Sequence, residues 1–225
     1  MSTLFVGDVH GCARELNALL ERAGFSPGTD RLLLTGDAFA RGPEPLEVWR
    51  LIERLGPQMV LGNHDDRLLR QLQALQQGEE TRGRKPDHQA TLTALQPVVA
   101  RLLPWLEGLP LFVVEKGFLL VHAGIHPTAG LAGTSREELL SIRTWPPVEE
   151  DNGSRWHQVC PPQERLLIFG HDAPGGLVVK RRPDGTPWLL GLDTGCVYGG
   201  QLSGYLLEED RVVQVPCQRP GGYYP

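Results

Sequence analysis

The chain has 225 residues, 22 Lys+Arg against 27 Asp+Glu, with 40% hydrophobic and 22% charged residues. Length and composition fit one globular domain and exclude a mainly disordered chain. A formal net charge of −5 gives no general pull toward nucleic acid or an anionic membrane, so any phosphate recognition must be local.

The first third alternates short apolar runs with amphipathic segments, the pattern of βαβ units. Residues 3–6 read as a buried strand, after which Ala13, Leu16, Leu19, Leu20 and Ala23 share one helical face. The stretch 25–30 breaks that helix. Residues 31–35 form a second strand, 45–55 a second helix with Leu46, Trp49, Ile52 and Leu55 inward, 59–61 a third strand and 65–77 a third helix. Residues 76–87 are polar, carry Arg82, Arg84 and Lys85, and are expected to loop into a helix over 91–106, kinked at Pro97 and Pro104. Residues 78–107 are thus expected to form a small helical cap on a single domain spanning 1–225. A hairpin over 111–121, a helix over 135–142 and a Pro-rich connection over 145–162 follow. The last part is β-rich, with strands expected at 166–169, 177–179, 188–190, 204–207 and 212–215 and a loosely held tail over 219–225. The cysteines, Cys12, Cys160, Cys196 and Cys217, have neither C-x-x-C spacing nor a dense framework, so reduced thiols are expected. The N-terminus lacks a basic, apolar leader and no run of about 18 apolar residues occurs, so the expected location is the cytoplasm, away from membranes.

Five polar clusters directly follow predicted strands: Gly7-Asp8-Val9-His10-Gly11, Gly36-Asp37, Gly62-Asn63-His64-Asp65, His122-Ala123-Gly124 and Gly170-His171. Singly, each reads as well as a turn, a helix cap or a hydrogen-bonded histidine. Their coincidence at five strand ends does not, because the carboxyl ends of strands in α/β sheets form the ligand crevice. Asp8, His10, Asp37, Asn63, His122 and His171 offer carboxylate, imidazole and amide oxygen without thiolate, which suits Mn²⁺, Fe²⁺ or Zn²⁺ in a site that is not a structural zinc site. Six donors exceed one tetrahedral ion. A carboxylate shared between two ions roughly 3.5–4 Å apart resolves the count and serves phosphate-ester hydrolysis.

The order GDVHG, GDAFARG, GNHD, HAG and GH resembles the phosphoprotein-phosphatase group of metallophosphoesterases, over residues 4–200. The resemblance implies an α/β fold, the calcineurin-like sandwich of two mixed β-sheets flanked by helices. It also implies two divalent ions, Mn²⁺ foremost, with Fe²⁺, Zn²⁺, Co²⁺ and Mg²⁺ as alternatives. By motif, Asp8 and His10 hold the first ion, Asp37 bridges, and Asn63, His122 and His171 complete the second, with a hydroxide between the ions attacking phosphorus. His64 resembles the proton donor to the leaving group, and Arg41 and Arg143 resemble the arginines that clamp phosphate. Arg143 also reads as a surface arginine ending a helix.

Protein Ser/Thr phosphatases of this group carry Asp where this chain has Ala40, and that carboxylate supports the histidine of the GNH motif. Expelling an alkoxide, whose conjugate acid approaches water's pKa of roughly 15.7, needs strong proton donation. A phosphate leaving group, with terminal pKa about 6, does not. Ala40 therefore favours an anhydride substrate. GDxxARG, GNHD and the segment Leu192-Asp-Thr-Gly-Cys-Val-Tyr-Gly-Gly200 resemble bacterial symmetrical diadenosine tetraphosphatases, which split diadenosine tetraphosphate into two ADP. Asp193 in that segment also reads as a turn cap. Arg82, Arg84, Lys85, Lys180, Arg181 and Arg182 could meet a distal phosphate, though solvated surface is the simpler reading, and Tyr198 or Trp145 could stack on adenine. A small dinucleoside polyphosphate, a phosphorylated peptide and nucleoside-capped RNA ends remain as partners. The rival readings are a bacterial metal-dependent Ser/Thr protein phosphatase, a wider-class nuclease or phosphodiesterase, and a non-catalytic scaffold. Gly170-His171-Asp172-Ala173 lacks the GHxH pattern of the second, and a scaffold needs neither His64 nor the two arginines.

Overall fold

The computed structural model describes residues 1–79, 85–147 and 153–224. One sheet contains β1 (Thr3–Val6), β2 (Arg31–Leu34), β3 (Gln58–Met59), β9 (Gln201–Leu206) and β10 (Arg211–Pro216), in the order β10-β9-β1-β2-β3. The other contains β4 (Phe112–Val114), β5 (Phe118–Val121), β6 (Leu166–Phe169), β7 (Val178–Arg181) and β8 (Pro187–Gly191), in the order β4-β5-β6-β8-β7. The parallel group β1-β2-β3 has antiparallel strands on its β1 side only, whereas β5-β6-β8 is flanked by an antiparallel strand on each side. Both sheets are therefore mixed.

Strands β1, β2, β5, β6 and β8 are apolar runs because both of their faces are buried. Phe5, Leu33, Val60 and Tyr205 face Phe118, Leu120, Ile168 and Leu190 in a core between the sheets, where the Phe5 and Phe118 rings meet edge to face at 4.9 Å. Alternate residues point outward. Leu4, Val6 and Leu34 pack under α1 (Ala13–Ala23) and α2 (Pro45–Leu55). Val121, Leu167 and Phe169 pack under α6 (Arg136–Ser141) and the short α7 (Trp156–Val159). Four layers result, helices outside and sheets inside.

Helix α3 (Asn63–Gln76) leads to α4 (Pro86–Leu95), a 3-10 turn over Gln96–Val98 and α5 (Val99–Glu107). The helix expected over 91–106 is thus two helices, broken beside Pro97, which has no N–H to continue the ladder. Leu92, Leu95, Leu102 and Leu106 join the core under the first sheet. The connection over 145–162 contains α7, anchored by the fully buried Trp156.

The tail is a correction. Tyr223 and Tyr224 donate backbone N–H groups to the Val197 carbonyl at 2.7 and 3.1 Å, and the Tyr223 hydroxyl donates to Glu15 at 2.9 Å. These bonds hold residues 219–224 against the body. Among the described residues no helix is long and apolar enough to cross a membrane.

Candidate active site

The carboxyl ends of both parallel groups point to one place. Asp8 follows β1, Asp37 follows β2, Asn63 follows β3 as the first residue of α3, His122 follows β5, His171 follows β6 and Asp193 follows β8. A cleft of about 590 Å³ opens there, lined by His10, Asp37, Arg41, Asn63, His64, Arg143, His171, Asp193 and Tyr198 among others. A second groove of about 630 Å³, lined by Arg67, Arg70 and Arg136, also touches Asn63, so the two spaces adjoin at the strand ends.

The donor atoms fall into two buried groups, Asp8 with His10 and Asp37, and Asp37 with His122 and His171, each within 4.8 Å. Asp37 belongs to both. The His122 Nδ1 lies 2.8 Å from the Thr35 carbonyl, which can only accept, so this nitrogen carries the proton of the neutral ring. Its Nε2 then presents a lone pair 3.1 Å from Asn63 Oδ1 and 3.6 Å from an Asp37 oxygen. The same Asn63 oxygen lies 3.1 Å from His171 Nδ1. On the other side His10 Nε2 stands 3.7 Å from Asp37 Oδ2. Converging lone pairs repel unless cations lie between them, and the set contains only oxygen and imidazole nitrogen. It fits a pair of borderline to hard divalent ions.

Burial acts on these groups in the same sense. It pushes the Asp8 carboxyl well above the usual range, reinforced by Asp193 and Asp37, and raises Asp37 to about 7. It lowers His10 to about 3, with Arg41 and His122 adding to the shift, and drives His122 and His171 down as well. Without ions the site favours neutral side chains. Positive charge between the donors would ionise the carboxylates and keep the imidazoles neutral, the state in which both kinds of group can act as ligands.

Backbone strain accompanies the arrangement. His10, Asp37, Arg41 and His171 all have positive φ, at 45°, 51°, 71° and 66°, a conformation costing on the order of 1–3 kcal/mol for a residue with a side chain. Two glycines permit the close approach. A Cβ on Gly170 would lie 2.0 Å from Asp8 Oδ1, and one on Gly62 would lie 2.2 Å from Asp37 Oδ1.

Arg41 donates from Nη1 to the Tyr198 hydroxyl, and its guanidinium lies 5.4 and 5.3 Å from the ring centres of Tyr198 and Tyr224. Arg143 donates to the His171 carbonyl at 3.3 Å and lines the cleft, so it is more than a surface residue ending a helix. His64 stacks edge-on against His10, with ring centres 5.2 Å apart. Its Nδ1 is buried without a partner. Beside it lies a void of about 10 Å³ lined by Ala40, His64, Arg67, Gln71, His88 and Thr91.

The remaining candidates are placed elsewhere. Trp145 stacks on His126 at 4.3 Å, Arg181 pairs with Asp210 at 2.6 Å, and Arg182 holds backbone carbonyls of residues 163, 164 and 187. Lys180 bonds the His157 carbonyl and sits over Trp188 at 5.5 Å. Lys85 is exposed, and Arg82 and Arg84 lie outside the described residues. Asp193 is both a turn cap, accepting from the Gly195 N–H at 3.1 Å, and a buried wall of the cleft.

Asp65 is the residue that sequence reasoning missed. It is buried and accepts the N–H groups of Asp37 at 2.6 Å, Ala38 at 3.1 Å and Gly62 at 3.3 Å. Burial and the neighbouring Asp37 raise its carboxyl to about 7. The signal was present: an acid three residues after Gly62 matches the pattern of a side chain folding back on a helix start.

A family model described as calcineurin-like phosphoesterase matches residues 1–212. The chain belongs to the calcineurin-like phosphoesterase family. This family uses a dinuclear divalent metal centre, and its fold supports metal-dependent hydrolysis of phosphoesters and phosphoanhydrides. This phosphoesterase is 33% identical over 276 residues to the symmetrical bis(5'-nucleosyl)-tetraphosphatase of Baumannia cicadellinicola, covering 97% of this chain and 94% of that protein. It is 32% identical over 276 residues to the protein of the same name from Serratia proteamaculans, covering 97% and 95%. A crystal structure assigned to a diadenosine tetraphosphatase superposes with a TM-score of 0.75 at 30% identity, covering 96% of this chain and 93% of that one. A Saccharomyces cerevisiae protein serine/threonine phosphatase shares the fold at a TM-score of 0.58 and 15% identity, covering 96% and 79%.

Asp65→Asn turns an amide toward N–H groups that need an acceptor. It is expected to cost about 1–3 kcal/mol in urea unfolding and to weaken divalent-ion binding in a calorimetric titration; unchanged affinity would mean that Asp65 does not position Asp37.

Proposed function

We propose that the chain hydrolyses the central phosphoanhydride of a dinucleoside tetraphosphate, diadenosine tetraphosphate in the first instance, to two nucleoside diphosphates. Asp8, His10 and Asp37 hold one divalent ion, and Asp37, Asn63, His122 and His171 the other, with Mn²⁺ matching the oxygen and imidazole donors. When bound, the ions supply a nucleophile from water at neutral pH and offset charge on the phosphoryl oxygens. Arg41 and Arg143 meet the phosphate chain in the cleft, each offering a planar set of donors. The aromatic brace of Tyr198 and Tyr224 fixes Arg41, which lowers the entropy lost when it engages phosphate. Tyr198, partly exposed at the cleft wall, is the surface for a nucleobase. The adjoining groove, where Arg67 lies beside Arg70 and Arg136, both paired with Asp66, is the proposed seat for the second half of the substrate.

The observation that carries the choice of an anhydride is the His64 ring. With Ala40 beside it and Nδ1 unpartnered, no carboxylate among the described residues holds this imidazole in its protonated form. His64 can hydrogen-bond a departing phosphate, whose terminal pKa is about 6. It is poorly equipped to protonate an alkoxide. The similarity to named symmetrical tetraphosphatases over nearly the whole chain supports the same substrate. We read residues 1–225 as one domain, with the helices around 78–107 capping the His64 side, and its compartment as the cytoplasm, in keeping with free thiols at Cys12, Cys160, Cys196 and Cys217.

Metal-loaded protein incubated with diadenosine tetraphosphate is expected to yield ADP alone on anion-exchange chromatography, with a phosphoserine/phosphothreonine peptide turned over far more slowly. Fast peptide dephosphorylation with intact dinucleotide would overturn the substrate reading in favour of a protein phosphatase. Ala40→Asp, which puts a carboxylate into the void beside His64, is expected to raise kcat on an alkyl phosphate ester by about tenfold or more relative to the dinucleotide. An equal effect on both substrates would remove His64 from the argument.

A further inference from the structure

A second cluster of donors lies away from the cleft, and the proposed reaction does not use it. Cys12 precedes α1, Glu15 stands in its first turn, and Cys196 opens the 3-10 turn Cys196–Tyr198. All three are at most 2% exposed, and their ligand atoms lie within 4.8 Å of one another. The Cys12 Sγ also donates to the His10 carbonyl at 3.6 Å. Cys217 is brought to the same side by the next residue, whose N–H donates to Glu15 at 2.8 Å, and its own Sγ lies 3.4 Å from the Arg219 carbonyl.

Glu15 makes this cluster more than a pair of buried thiols. One of its oxygens accepts from the Gln218 N–H at 2.8 Å and the Tyr223 hydroxyl at 2.9 Å. The other, Oε2, is buried without a partner. A fully buried carboxylate with one oxygen unanswered and thiols alongside is costly unless a cation completes it. Ligand atoms around a four-coordinate ion at bond lengths of 2.0–2.3 Å stand about 3.3–3.8 Å apart. The cluster therefore closes on an ion with side-chain adjustments of about an ångström.

We propose that Cys12, Glu15 and Cys196, with the neighbouring Cys217 within reach as a further donor, form a structural site for one thiophilic divalent ion, zinc by ligand type, separate from the catalytic pair. Soft thiolates beside a carboxylate oxygen are donors that zinc accepts together, whereas the catalytic donors contain no sulfur. The ion would join three segments remote in sequence: the start of α1, the turn that carries Tyr198, and the chain leading to Tyr223 and Tyr224. Tyr198 and Tyr224 both contact Arg41. The site thus underpins the aromatic brace of that arginine, and it stands or falls independently of the substrate.

Cobalt separates the two kinds of site, because only sulfur ligands give an intense thiolate-to-cobalt charge-transfer band in the near ultraviolet. Protein purified under reductant, stripped and reloaded with Co²⁺ is expected to show this band, to keep it in Cys160→Ser and to lose it in Cys12→Ser and Cys196→Ser. Cys217→Ser, at the partly exposed edge, is expected to weaken it while leaving the fold intact by circular dichroism. In parallel, metal analysis after zinc loading is expected to find one ion fewer per chain in Cys196→Ser. Wild-type protein without the band, or with the same zinc content as Cys196→Ser, would overturn the site.

Discussion

The repulsion among unshared electron pairs around Asp37 is the constraint on which the rest of this structure depends. His122 is locked by the Thr35 carbonyl so that its free nitrogen faces Asn63 and Asp37, and His10 approaches the same carboxylate from the other side. Protonated imidazoles would answer these acceptors, but burial pushes His10, His122 and His171 toward the neutral form, which leaves lone pairs facing oxygen. Two cations sharing Asp37 would resolve this without protonating the rings. The scaffold thus holds the donors in an order that is unfavourable when empty and favourable when filled, which is how binding energy for metal is stored in a fold.

Holding such a cluster requires rigidity that loops alone do not supply. Three parallel strands from each sheet end at the cleft, and the core between the sheets, with Phe5 packed on Phe118, fixes one group against the other. Positive φ at His10, Asp37, Arg41 and His171 is the local cost of turning each side chain inward directly after its strand. The burial of apolar runs on both faces of each sheet outweighs that cost. Asp65 contributes from within α3, gathering the N–H groups of Asp37 and Ala38 and so tying the end of β2 to the start of the helix.

Much of this was legible in the sequence, for identifiable reasons. The strands at Thr3–Val6, Phe118–Val121 and Leu166–Phe169 are short apolar runs bounded by glycine, and α1 has an unbroken helical period, so local pattern alone defines them. The five strand-end clusters were visible because polar residues interrupt those runs abruptly. What was hidden depends on contacts between distant positions. The tail reads as loose because Gly221 and Gly222 favour flexibility, yet Tyr223 reaches Glu15 across the fold. The thiol and carboxylate cluster joins positions 12, 15 and 196, for which spacing carries no signal. Trp145 is committed to His126, and only the fold reveals that it is unavailable to a nucleobase.

The centre shared through Asp37 is tested most directly by anomalous scattering from crystals of the protein grown with Mn²⁺. Two peaks are expected, on opposite sides of the Asp37 carboxylate and roughly 3.5–4 Å apart, one beside Asp8 and His10 and the other beside Asn63, His122 and His171. A single peak, or two peaks of which either lies beyond reach of Asp37, would contradict the shared centre and the chemistry built on it.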